Sequence, residues 1–349
     1  MLNVQQRIEA FAKLGKLMVL WGEEKQWPGF ECGLSESEYA AVQASIPMAK
    51  IYNPWFTSDN VHKSLRSLGA SMDMGSLEKW VSNYTFKEDK SLIVGLIMAG
   101  NIPLVGFHDV LCVLLSGHKA KIKMSSDDDK LFPAILSAVQ ILQPALTDQV
   151  LVMEDRLVEY DAILATGSNN TARYFEHYFG KVPNIIRKNR HSVAVLTGEE
   201  TKEEIVALGH DIFDYFGLGC RSVSKLYLPE GYNFDHFFNG IFEFQDIVNH
   251  HKYANNYDYN KAVWLLNMED LLDNEFILLR KCNDLTSPTG SLHYENYSDV
   301  ATVHQQLDEM KDELQCVVGK GFLPFGKSQE PALDDYADGL DTMAWLASL

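Results

Sequence analysis

The run Phe216 to Lys225, FGLGCRSVSK, sets one cysteine between glycines and beside basic residues. Cys220 is the candidate nucleophile of the chain. Gly217 and Gly219 allow a tight turn and a close approach of backbone to ligand, and Arg221 and Lys225 favour thiolate over thiol. The competing reading is a cysteine that only fills apolar space, the commoner fate of this residue. Asn101 stands in a second corner, Gly100-Asn101-Ile102-Pro103. By itself it reads as a turn residue, because asparagine tolerates such corners. A third corner, Gly167-Ser168, closes an apolar run and opens a helical one, so its backbone amides can meet phosphate oxygens at the favourable end of a helix dipole. The usual GxGxxG dinucleotide fingerprint is absent.

These corners need elements to hold them. From Ser91 onward, short β-rich runs alternate with helical ones: SLIVGLIMAG, PLVGFHDVLCVLLSG, HKAKIKMS, DKLFPAILSAVQIL, QVLVME, YDAILATGS and NTARYFEHYFG. That alternation predicts an α/β fold, a parallel sheet with helices on both faces. Ligands of such sheets lie beyond the carboxyl ends of the strands, which selects the loops 100–103, 124–129 and 166–170. Further on, the strand SVAVLTG leads to a helix opened by a capping box, Thr201 with Glu204. Ile205, Leu208, Ile212 and Phe216 form one apolar stripe on that helix, which runs into the Cys220 corner. The strand VSKLYLP leaves it. A helix C-terminus disfavours a thiolate, so activation must come from the neighbours of the thiol.

Residues 1 to about 90 read as mostly helical. HHKYANNYDYNKAVWLL reads as a helix, SPTGSLHYENY and ELQCVVG as strands around the helix SDVATVHQQLDEM, and PALDDYADGLDTMAWLASL as an acidic C-terminal helix. His250 and His251 are adjacent, so on a helix they face apart, and no metal is expected there.

With 349 residues, 46% of them hydrophobic, the chain has material for about two domains. A formal net charge of −18 argues against nucleic acid or an acidic membrane surface as partner. Five cysteines without CxxC spacing argue against a disulfide framework or zinc and fit a reducing cytoplasm. The first 22 residues read as an amphipathic helix and not a signal peptide. Ser91 to Gly117 is apolar enough for a membrane span, but Gly100, Asn101 and Pro103 interrupt it and His108 with Asp109 charge its second half. A buried strand, a turn and a buried helix account for it better.

Taken together, the loops resemble those of the aldehyde dehydrogenase superfamily, and within it the LuxC-type acyl-CoA reductases, from about Ser91 to the C-terminus and in the same order. MAGNIPLVG (Met98 to Gly106) is similar to the strand-end turn whose asparagine binds the carbonyl oxygen. KIKMSS (Lys121 to Ser126) is similar to the strand end carrying a lysine toward the adenosine ribose. ATGSNNTARYF (Ala165 to Phe175) resembles the turn beneath the dinucleotide phosphates. FGLGC occupies the place of the catalytic cysteine, and NNYDYNKAV with DYADGLDTM resembles the LuxC branch in particular.

The resemblance implies a Rossmann-type dinucleotide-binding domain over residues 1–190, a catalytic thiol domain over 191–325, and a C-terminal segment, 326–349, returning to the first domain. It implies that Cys220 attacks an acyl thioester and that Asn101 and the Cys220 N–H hold the oxyanion. Lys123, Ser126, Thr166, Gly167 and Ser168 would bind the cofactor. NAD-preferring relatives tend to carry a glutamate where Ser126 stands, so NADPH is expected. Hydrolytic relatives carry a general-base glutamate in a turn that here reads NIIRKNRHSVAVL, without a carboxylate. An acyl-enzyme without a water-activating base survives to accept hydride or a thiol. The expected activity is NADPH-dependent reduction of a long-chain fatty acyl-CoA, or another acyl thioester, to the aldehyde. Arg187, Lys188 and Arg190 are candidates for an anionic group of cofactor or coenzyme A, His191 for proton handling. An acyl-donor protein is a compatible partner, and a homo-oligomer is expected by analogy. The alternatives are a hydrolytic or acyl-transferring enzyme on the same fold, or a noncatalytic dinucleotide- or acyl-binding protein.

Overall fold

Two units, Met1–Lys188 with Ala332–Leu349 and Asn189–Pro331, make up the computed structural model, which describes residues 2–87, 90–154 and 156–349. The first unit begins with α1 (Val4–Gly22), α2 (Glu36–Tyr52), α3 (Ser58–Ser71) and α4 (Met74–Val81). A reciprocal capping box opens α1: the Gln6 N–H donates to Asn3 Oδ1 at 2.9 Å and the Asn3 N–H to Gln6 Oε1 at 3.1 Å. Phe11, Leu14, Leu17, Met18 and Trp21 then bury one face of that helix.

Next come β1 (Ile93–Ile97), α5 (Phe107–Leu115), β2 (Lys119–Lys123), α6 (Leu131–Leu142), β3 (Val150–Met153), β4 (Ala162–Thr166), α7 (Asn169–Phe179) and β5 (Asn184–Arg187). All pairings are parallel, in the order β3-β2-β1-β4-β5. The order reverses between β1 and β4, the switch point at which open α/β sheets open a crevice. The Ser91–Gly117 segment is β1, a turn and α5, and no helix among the described residues is long and apolar enough to cross a membrane. The C-terminal residues pack into this unit: Trp80 Nε1 donates to the Tyr336 hydroxyl at 2.8 Å. The only α-helix in this segment, Thr342–Ser348, is far shorter than the sequence suggests, because Leu333 and Tyr336 reach the core from irregular backbone.

The second unit comprises β6 (His191–Val195), α8 (Lys202–Phe213), β7 (Val223–Pro229), α9 (Phe234–Gly240), α10 (His251–Leu266), β8 (Leu271–Asp273), β9 (Leu278–Lys281), β10 (Ser291–Tyr297), α11 (Val300–Glu309) and β11 (Leu314–Gly319). Its sheet runs β11-β6-β7-β10-β9-β8, parallel except for β8 against β9. Period-2 alternation divides each central strand between two cores. Ala194, Leu226 and Leu228 pack with Ile205, Leu208 and Phe237, while Val193, Val195 and Tyr227 pack with Val303 and Leu307. Both faces are thereby covered.

Candidate active site

The Cys220 corner lies wholly within the second unit. Helix α8 ends at Phe213, and Tyr215, Phe216 and Gly217 then take φ values of 54°, 59° and 72°. Left-handed backbone costs a non-glycine residue about 1–2 kcal/mol, offset here by burial of Tyr215 and by the Phe216 ring lying 4.3 Å from the His250 imidazole. Phe216 thus leaves the helical stripe on which its spacing places it. His250 acts as the N-cap of α10, its Nδ1 accepting the Tyr253 N–H at 3.4 Å.

The Ser222 N–H donates to the Gly219 carbonyl at 3.0 Å, which makes Cys220 and Arg221 the central pair of a tight turn. Cys220 is exposed there, so it is not a core filler. The turn is braced from several sides. Ser192 Oγ donates to the Cys220 carbonyl at 2.9 Å. Arg221 Nη1 reaches the Ser328 carbonyl at 3.5 Å, and Gln329 Nε2 the Ser222 hydroxyl at 3.3 Å. Asp211, buried on α8, accepts the Ser328 N–H at 2.9 Å and the Gly326 N–H at 2.6 Å, so the helix entering the corner holds the loop behind it.

Lys225 is 1% exposed, with Nζ on Glu295 at 2.7 Å and on the Asn283 carbonyl at 2.8 Å. Its charge is committed to Glu295, which does not fit the thiolate-favouring role that the sequence suggests for it. His191 opens β6 one residue before Ser192, with Nε2 2.9 Å from the Thr286 hydroxyl. Burial lowers its pKa, with Glu313 acting in the opposite sense. Cys220 and His191 both stand at amino ends of neighbouring strands. The carboxyl-end rule that selects loops of the first unit therefore does not find this corner.

In the first unit, Asn101 is exposed in the turn after β1, Lys123 ends β2, Ser126 is exposed in the next loop, and Thr166, Gly167 and Ser168 join β4 to α7. The loops after β1 and β2 touch: a Cβ on Gly100 would stand 2.3 Å from Ser125 Oγ. Asp128 fastens them, accepting the N–H of Leu104 at 2.8 Å and of Phe132 at 3.2 Å. Leu104 takes a φ of 58° in that turn. Ser168 Oγ caps α7 by accepting the Thr171 N–H at 3.2 Å, and the first turn of α7 carries no acidic residue. Lys123 Nζ bonds the Glu154 carbonyl. Exposed hydroxyls, a lysine at a strand end and a helix N-terminus without acidic residues suit a dinucleotide's ribose and phosphates.

Burial raises the Asp128 pKa from 3.8 to about 6, against the two N–H bonds that lower it. A raised acid pKa means that the folded state holds the proton longer. The stabilising contribution is complete below the unfolded value and is lost as pH rises through about 6. Relative to Asp128→Asn, the wild-type chain should lose up to about 3 kcal/mol between pH 4 and pH 7. Urea unfolding of both proteins across that range measures it, and parallel pH profiles would contradict the assignment.

The basic run that begins at the last residue of β5 is not one anion site. Arg187 is buried and paired with Asp109, and its Nη2 donates to Thr342 Oγ1 at 2.9 Å. Lys188 pairs with Glu176 at 3.0 Å, and Arg190 donates to the Leu314 carbonyl at 2.9 Å. Sequence reasoning missed Ser192, Asp211 and Asp128, since each is a single polar residue whose partner lies on another element.

The two sheets and their helices form the fold of the aldehyde dehydrogenases. Aldehyde dehydrogenase 21 from Physcomitrella patens, in complex with succinate, aligns with a TM-score of 0.62 at 12% identity over 91% of this chain and 74% of its own. KauB from Pseudomonas aeruginosa aligns at 0.60 and 11% identity over 91% and 72%, and an NAD+ complex of a Bacillus cereus aldehyde dehydrogenase at 0.58 and 12% over 91% and 72%. No curated protein matches at the level of sequence. The acyl-CoA reductase (LuxC) family matches residues 35–239. The chain belongs to that family.

Proposed function

We propose that the protein reduces a long-chain acyl thioester to the aldehyde with NADPH, through a covalent thioester on Cys220. The observation that carries this reading is Cys220 itself, exposed in a braced turn at the head of β7, in a chain of the acyl-CoA reductase family. The thiolate sulfur attacks the carbonyl carbon, and the C–S bond to coenzyme A breaks as the tetrahedral oxyanion collapses. Donors to that oxyanion are the Cys220 N–H and, on the family's pattern, the Asn101 amide. NADPH, when bound, supplies the hydride that the acyl group accepts. The resulting thiohemiacetal releases aldehyde and restores the Cys220 thiolate. His191, whose pKa burial lowers, is the proposed proton carrier.

Lys123 and Ser126, at and after the end of β2, and Thr166, Gly167 and Ser168, at and after the end of β4, are the proposed dinucleotide contacts, on strands that lie to either side of β1. A serine at 126, where NAD-preferring relatives tend to carry a glutamate, favours the 2′-phosphate of NADPH. Water loses to hydride because the turn between β5 and β6 offers Lys188, Asn189 and Arg190 and no carboxylate. Action on acyl groups delivered by a carrier or donor protein, in the cytoplasm and as a homo-oligomer, completes the proposal.

Intact-mass measurement after mixing with dodecanoyl-CoA tests it. A single acyl adduct on the Cys220 peptide, discharged on adding NADPH with aldehyde as product, is expected. Folded protein without an adduct would end the proposal, and release of free acid would favour the hydrolytic reading. Asn101→Ala should lower kcat about 100- to 1,000-fold, as for loss of one oxyanion donor, with NADPH affinity unchanged by fluorescence titration. An unaltered kcat would remove Asn101 from the mechanism.

A further inference from the structure

Ser192 is fully buried at the second position of β6, and three polar atoms converge on its hydroxyl. Its Oγ lies 2.9 Å from the Cys220 carbonyl oxygen, 3.2 Å from the Cys316 backbone nitrogen and 3.1 Å from Cys316 Sγ. A serine hydroxyl offers one donor and two acceptor positions. The hydrogen goes to the Cys220 carbonyl, which accepts only. The Cys316 N–H takes one lone pair, which leaves the Cys316 thiol to donate to the other. The pairing of β11 with β6 shifts register between Leu314 and Cys316, and this irregularity sets Cys316 opposite Ser192.

The bonded carbonyl belongs to the middle peptide of the tight turn. That peptide has two orientations, and the flipped one is a type II turn requiring positive φ at its second central residue. That residue is Arg221. Positive φ is recorded at Tyr215 and Phe216 in this corner but not at Arg221. The Ser192 hydroxyl is aimed at the orientation present, and a donor polarised by two incoming hydrogen bonds holds it more firmly than an isolated hydroxyl would.

We propose that Ser192 is a positioning residue for Cys220: it locks the peptide that follows the nucleophile and so fixes the direction in which the thiol leaves the turn. The proposal rests on the reading of Cys220 as nucleophile. It also makes Cys316 part of the support, because a Cys316 thiolate would draw the serine hydrogen away from the Cys220 carbonyl.

The test uses the full chain with dodecanoyl-CoA and NADPH. Ser192→Ala is expected to lower kcat, and the rate of acyl-adduct formation on Cys220, about tenfold, as for loss of one net hydrogen bond at a reacting centre, with KM for NADPH unchanged. Ser192→Thr and Ser192→Val have the same shape and differ by the hydroxyl, so they decide the matter if the alanine variant fails to fold. The threonine variant should keep at least about a third of wild-type kcat, and the valine variant should match the alanine loss. Equal kcat in the threonine and valine variants, or wild-type kcat in Ser192→Ala, overturns the role of Ser192. A Cys220→Ala control separates the two claims. If it is inactive while Ser192→Ala is fully active, only the positioning role fails; if it remains active, the nucleophile reading fails first.

Discussion

Cys220→Ala should lose acyl-CoA reduction by at least about 1,000-fold while the protein unfolds at the same urea concentration as wild type. Removing the attacking atom of a covalent mechanism leaves only binding and electrostatic assistance. The side chain is exposed, so its truncation removes no core contact, and an exposed substitution of this kind stays within about 0.5 kcal/mol. Cys220→Ser should be nearly as inactive, because a hydroxyl at neutral pH lacks the thiolate's nucleophilicity. Steady-state NADPH oxidation with dodecanoyl-CoA, beside urea unfolding, measures both. Residual activity above a few per cent of wild type in the alanine variant would show that the acyl group never passes through this sulfur.

Arg187→Ala should destabilise the first unit by about 3–5 kcal/mol. Removing one partner of a buried ion pair leaves the other charge without compensation, and here that charge is Asp109, only 14% exposed at its side chain. The guanidinium also donates to Thr342 at 2.9 Å, so the short C-terminal helix should loosen with it. Arg187→Lys keeps the charge but not the two-direction reach of the fork, and should recover part of the loss. Equilibrium unfolding compares the three proteins. A change under about 1 kcal/mol, accompanied by weaker coenzyme A binding, would return Arg187 to the anion-binding role suggested by its sequence neighbours and set aside here.

Arg187 shows what a sequence hides. Its run with Lys188 and Arg190 looks like a single basic cluster, yet each cation faces a different partner, because β5 enters the sheet beside β4 and carries Arg187 under α5. Phe216 shows a second limit. Its spacing from Ile205, Leu208 and Ile212 is helical, and nothing in a one-dimensional pattern announces that Tyr215 and Phe216 turn left-handed without being glycines. Lys225 shows a third, since its partner Glu295 is seventy residues away on a neighbouring strand.

By contrast, the strand and helix alternation after Ser91, the capping box at Thr201 and Glu204, and the flanking of Cys220 by a helix and a strand are local properties. Period, cap chemistry and turn residues act over a few positions, so the sequence by itself determined the layered α/β class and the corner in which the cysteine stands. Only the tertiary structure decided how that corner is held. The hydroxyl of Ser192 and the loop at Ser328, itself held by the carboxylate of Asp211, converge on it from separate elements. Hydrogen bonds between residues distant in sequence depend on strand order and register, which no local pattern encodes.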